Sequence, residues 1–138
     1  MNRPVHFEIH ANDMDRCKKF YESVFGWTYQ QMGPELGNYV LVNTGTMDSK
    51  GPDGKTWAGI NGGMMLRKGD APATGAPVNG AVITMDVENI DETIKKILAA
   101  GGAEAVAKGA MPGMAWLAYF RDTENNIFGI YQTDPNAK

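Results

Sequence analysis

Residues 7–27, FEIHANDMDRCKKFYESVFGW, recur in pattern as residues 83–103, ITMDVENIDETIKKILAAGGA, at a constant shift of 76 positions. Under that shift Asp15 falls on Asp91, Lys19 on Lys95 and Gly26 on Gly102, while Ile9, Met14 and Tyr21 fall on the apolar Met85, Ile90 and Ile97. Each copy opens with a strand, a turn, a helix and a glycine. Two such units in one chain predict a pseudo-symmetric fold, and function is then to be sought where the copies differ.

The chain has 138 residues, 43% of them hydrophobic, which suits one domain with a sizeable core. Its net charge of −3 and its lack of a basic cluster remove the counterion-release term on which nucleic-acid binding depends. No apolar run is long enough to span a bilayer, and the opening MNRPVHFEIH lacks the charged-then-apolar order of a secretion signal, so a cytoplasmic protein without membrane contact is expected. Cys17 is the only cysteine, which excludes an internal disulfide and a paired-thiolate zinc site. It falls on the stripe Met14, Cys17, Tyr21 and Val24, a buried helix face.

Along the chain, Val5, Phe7, Ile9 and Ala11 alternate with His6, Glu8, His10 and Asn12, the period of a strand with one apolar and one polar face. Asn12 and Asp13 are set to cap a helix running to about Phe25, which Gly26 stops. Strands are expected near Trp27–Met32, at Tyr39–Asn43 and, after the polar loop TGTMDSKGPDGKT, at Trp57–Leu66. Module one thus covers about 3–68 and a linker about 67–77. Module two covers about 78–133. It reads as a strand Val78–Val87, a helix Ile90–Ala100 capped by Asn89, and strands Glu104–Ala107, Trp116–Arg121 and Ile127–Gln132. Each half is βαβββ, an α+β class in which paired modules form a cup-shaped sheet with helices outside. The run Gly109–Met114 reads as a glycine-hinged lid.

The run FYESVFGW (20–27), the pair Gly101-Gly102 and the segment DTENNIFG (122–129) resemble the vicinal oxygen chelate superfamily, the glyoxalase, bleomycin resistance and extradiol dioxygenase group. The likeness extends from about Arg3 to Gln132, with Thr123 and Asn125 standing where family members usually show Pro and Gly. The resemblance implies a single domain of two modules, a cup, and in the metalloenzymes a divalent ion held by the first and last strands of each module. Carried over, the first-strand ligand of module one is His6, but its counterpart is Val82, the last strand of module one offers no donor, and the carboxylate position of module two is Gly129. No cofactor is therefore expected; the alternative is a displaced divalent metal on His6, Glu8 and His10.

The leading expectation is a protein that binds a small organic molecule in its cup without the family metal. The second is a lyase or isomerase with an unconventional metal site using His6, and the third an interaction module with a vestigial cup. Whether the chain is an enzyme stays open; if it is, Glu8 and His10 are the candidate catalytic acid–base pair. Candidate ligand-binding residues are His6, Glu8, His10, Tyr39, Thr84, Asp86, Trp116 and Tyr131. Family resemblance and open strand edges imply a homodimer.

Overall fold

A computed structural model describes residues 6–45, 54 and 59–138. Most of the predicted polar loop after Thr44, together with Val5 and Trp57, lies outside the described residues. The chain divides into two compact units between Ala71 and Pro72, inside the segment read as a linker. Both are βαβββ. Module one consists of β1 (Phe7–Ala11), α1 (Met14–Phe25), β2 (Thr28–Gln31), a 3-10 turn (Pro34–Leu36), β3 (Val40–Asn43) and β4 (Gly62–Leu66). Module two consists of β5 (Ile83–Asp86), α2 (Ile90–Ala99), β6 (Ala103–Met111), β7 (Ala115–Arg121) and β8 (Ile127–Thr133).

The two sheets share one topology. Their strand orders are β1-β4-β3-β2 and β5-β8-β7-β6, each with one parallel pair, β1/β4 and β5/β8, and antiparallel pairs elsewhere. Among the described residues neither sheet closes on itself, so each has two edge strands. The helices start alike: the Asp13 carboxylate accepts from Arg16 N at 2.9 Å and the Asn89 side chain from Glu92 N at 3.0 Å, and these caps are again 76 positions apart. Gly26, at φ 71°, ends α1 and donates to Glu22 O.

Burial follows the expected periods. In β1, Phe7, Ile9 and Ala11 are buried; in α1, Cys17, Phe20, Tyr21 and Val24 are. Trp27 knits them together, stacked on Tyr21 at 4.6 Å between ring centroids and packed against Phe7 at 5.6 Å. Module two is cored by Ile90 and Ile97 of α2 with Ala118, Phe120, Phe128 and Ile130 of β7 and β8. The turn Asp122–Asn126 is held by Asp122, whose Oδ1 accepts from Glu124 N and Asn126 N, both at 2.8 Å. Asn125 there takes the left-handed φ of 65°, and Thr123, at the position where the resemblance sets a proline, buries its hydroxyl with no hydrogen-bond partner among the described residues.

Three boundaries differ from expectation. β5 starts at Ile83 rather than Val78, because Pro77 has no N–H to give a ladder and Gly80 turns the chain at φ 105°. β4 starts at Gly62, since the Asn61 side chain is taken up by Thr44, accepting from its N at 3.0 Å and its hydroxyl at 3.2 Å. The predicted lid is not a loop. β6 runs through Met111, with Gly109 and Ala110 opposite Leu117 and Trp116, and only residues 112–114 make the hairpin turn. That tip is tied down by Gly113 N to Ala137 O and by Asp134 N to Met114 O. Among the described residues no helix is long and apolar enough to cross a membrane.

Candidate functional site

With Phe7 and Ile9 turned toward the core, the alternation of β1 leaves Glu8 and His10, and His6 just before them, exposed on the other face of the sheet. Parallel pairing sets Glu8 beside Gly63 and His10 beside Met65 of β4; antiparallel pairing sets Leu41 of β3 beside Gly63. One residue before β3, Tyr39 reaches over this surface. Its hydroxyl lies 2.9 Å from His6 Nε2 and donates to Glu8 Oε2 at 3.4 Å, and the other Glu8 oxygen is 3.8 Å from His10 Nε2. His6, Tyr39, Glu8 and His10 therefore form a line of polar groups on an open sheet face. Glu8 and His10 remain 43% and 48% exposed, so a ligand can reach them.

Partial burial and then the nearby charge of Glu8 push the Tyr39 phenol above its ordinary value. It stays protonated at neutral pH, with its one hydrogen to give and lone pairs to accept with. At the end of the strand Arg67 donates to Asn12 Oδ1 at 2.6 Å and to the carbonyl of His10 at 2.7 Å, which fixes the backbone under His10.

Tyr39 can lie so low because Gly63 has no side chain. A Cβ at Gly63 would collide with the Tyr39 hydroxyl oxygen and Cζ. Gly62 next to it serves packing instead, since a Cβ there would stand 2.6 Å from both the Phe7 ring and the Phe7 carbonyl oxygen. Composition and period give no sign of this division between two adjacent glycines. Gly63 was outside the predicted set for that reason.

Module two repeats the register with other chemistry. Thr84 is beside Gly129, which is beside Tyr119; Asp86 is beside Tyr131, which is beside Leu117. Thr84, Asp86 and Tyr131 thus share one face, joined by Tyr119, which the sequence reading did not single out. Its signal was present in the alternation with the apolar Ala118 and Phe120. Trp116, also singled out by sequence, has the parity of Ala118 and Phe120 along β7 rather than that of Tyr119. Its Nε1 donates to Asp134 Oδ2 at 3.0 Å, and Lys108, 4.8 Å above its ring, reaches Asp91 of α2. Asp134 is held below the usual carboxylate range by the Asn136 backbone N–H and then by Trp116. The indole is fastened beside the Lys108–Asp91 ion pair.

The positions implied for the family metal do not fit one. Val82 has no lone pair, His6 faces the Tyr39 hydroxyl, and a side chain at Gly129 would meet Thr84 Oγ1 at 2.7 Å and the Tyr119 ring at 3.1 Å. The displaced set fares no better, because Tyr39 stands between His6 and Glu8. Among the described residues no group of three or more His, Cys, Asp and Glu is placed to hold a metal ion.

Residues 3–45 match the family model described as bleomycin resistance protein-like N-terminal. No curated protein matches the chain by sequence. Among solved structures, hypothetical protein SA1046 from S. aureus is similar with 18% identity and a TM-score of 0.66, over 96% of this chain and 98% of that one. A glyoxalase/bleomycin resistance protein/dioxygenase family enzyme from Burkholderia phytofirmans is similar with 17% identity and a TM-score of 0.63, over 94% and 98%. A mutant of the fosfomycin resistance protein FosX from Listeria monocytogenes, complexed with Mn(II) and 1S,2S-dihydroxypropylphosphonic acid, is similar with 16% identity and a TM-score of 0.68, over 95% and 90%. By fold, then, this chain is similar to the glyoxalase, bleomycin resistance and dioxygenase group, and its residues 3–45 match the bleomycin resistance-like model.

Proposed function

We propose that the protein binds a small organic molecule on the open face of module one, independently of the family metal. The observation that carries this reading is the polar line His6–Tyr39–Glu8–His10 set beside the exposed Leu41 and the half-buried Met65, a few placed polar groups next to an apolar surface. The acidic side chain in that line is the Glu8 carboxylate, an acceptor. It favours a neutral or cationic ligand that offers hydroxyl or amine hydrogens, and repels a phosphonate of the kind bound by the FosX mutant. Thr84, Asp86 and Tyr131, with Tyr119, supply a second and less basic binding face. If a reaction follows binding, Glu8 is the base and His10 the group that shares its proton. We propose also that the protein works in the cytoplasm as a homodimer, for which the open strand edges of both sheets are the physical reason.

A thermal-shift screen of neutral and cationic small molecules tests the binding reading, since a ligand that binds the native state alone raises the melting temperature. Compounds that stabilise the wild type are expected to lose most of that effect in Glu8→Gln. Full retention would place binding elsewhere. Elemental analysis should give well under one divalent ion per chain, and one tightly held ion per chain would refute metal independence. Light scattering should return twice the chain mass of 15.0 kDa, and a monomer mass would refute the dimer.

A further inference from the structure

Gly63 of β4 and Gly129 of β8 hold the same place in their modules: one is in register with Glu8, the other with Thr84, and Glu8 and Thr84 are 76 positions apart. Gly129 is where the family resemblance sets a carboxylate. Gly63 is consequently the matching position in module one, and in both modules a tyrosine from the adjoining strand region crowds the space that a side chain would fill. In module two the Tyr119 ring comes within 3.1 Å of the built Cβ position, beside Thr84. In module one the intrusion is deeper, with the Tyr39 hydroxyl overlapping the built Cβ position, and it brings a polar atom between His6 and Glu8.

We propose that Tyr39 is a positioning residue of the module-one face, admitted by the side-chain-free Gly63 into the volume of the missing carboxylate, where its hydroxyl couples His6 to Glu8. The ring is only partly buried, and all three atoms nearest the built Gly63 Cβ belong to its outer end: the hydroxyl oxygen, Cζ and Cε1. A methyl group at Gly63 therefore displaces the phenol, which can swing into solvent, rather than the backbone. The same addition at Gly62 meets the Phe7 carbonyl and has no such escape. The groups that face the phenol are His6 and Glu8 of the first strand region; β4 contributes Gly63 and Met65 and β3 contributes Leu41 and Asn43, none of which titrates. His10 is reached only through Glu8.

This inference rests on the proposed use of the face, but its test needs no ligand, so it can fail while the binding reading stands. His6 and His10 are the only histidines in the chain, so imidazole nitrogen NMR gives two assignable sets of signals and carbethoxylation gives two assignable products. In Tyr39→Phe the His6 signals should move and His6 should react faster with diethylpyrocarbonate, with His10 changed much less. Gly63→Ala should reproduce both effects, and Gly63→Ala added to Tyr39→Phe should add nothing further. The alkaline absorbance titration of the phenol should fall back toward the ordinary tyrosine value in Gly63→Ala and in Glu8→Gln. Unchanged His6 signals and reactivity in Tyr39→Phe, a variant that keeps the ring and folds, would overturn the proposal. So would a Gly63→Ala effect that persists undiminished in the Tyr39→Phe background.

Discussion

The first strands of the two modules agree on one face and disagree on the other. Phe7 and Ile9 correspond to Ile83 and Met85, and both pairs turn away from the open face of their sheet toward the helix side, while His6, Glu8 and His10 correspond to Val82, Thr84 and Asp86. The parallel pairing, the capped helix and the glycine in the last strand are also common to both. What the fold requires is therefore repeated, and what lies on the open faces is free to differ. The difference places His6, Glu8 and His10 on the open face of module one, and Thr84 and Asp86 with Tyr119 and Tyr131 on that of module two.

The most forceful way to break this comparison is to exchange the two faces of β1 in effect. Phe7→Ala should cost about 3 to 5 kcal/mol by urea denaturation, as a buried aromatic packed on Trp27. Glu8→Gln, one residue away and exposed, should change stability by less than about 0.5 kcal/mol. If Glu8→Gln unfolds the chain while Phe7→Ala is tolerated, the two faces have been assigned in reverse. The adjacent glycines sharpen the same contrast. Gly62→Ala should destabilise by roughly 1 to 3 kcal/mol, because overpacking against a carbonyl cannot relax, whereas Gly63→Ala should cost less than about 1 kcal/mol.

A smaller effect tests the agreement between modules. Asp13→Ala and Asn89→Ala remove equivalent caps of nearly equal geometry and should each cost about 0.5 to 2 kcal/mol, by similar amounts. A large inequality would show that the helices are supported differently. The smallest effect separates core from site by pH. Tyr29 donates to Lys18 O at 2.9 Å, and burial pushes its phenol well above the ordinary value, more than for Tyr39. A raised folded value means that the unfolded chain ionises first, so stability is intact below pH of about 10 and declines above it. Tyr29→Phe should flatten that alkaline decline more than Tyr39→Phe does in chemical denaturation.

The repeat, the helix caps and the phase of β1 were legible because each rests on a local rule: a period, an oxygen-bearing cap, a glycine stop. What was missed rests on partners remote in the chain. The ties of Trp116 to Asp134 and Lys108 are of this kind. The Gly109–Met114 run has the composition of a loop, yet the neighbouring strand β7 recruits half of it into β6. Gly63 carries no side chain to interpret, and its meaning comes from Tyr39, which the chain brings back from 24 residues earlier.

Calorimetric titration of the strongest compound from the thermal-shift screen into three proteins, the wild type, Glu8→Gln and Thr84→Val, tests the division of labour most directly. Thr84 is the exact register counterpart of Glu8, so the two variants differ in module and in chemistry but not in place. The predicted result is a loss of roughly 10- to 100-fold in affinity for Glu8→Gln, the value of a hydrogen bond to a charged group, and a loss of less than about threefold for Thr84→Val. The reverse order, with Thr84→Val crippling and Glu8→Gln nearly silent, would contradict the account.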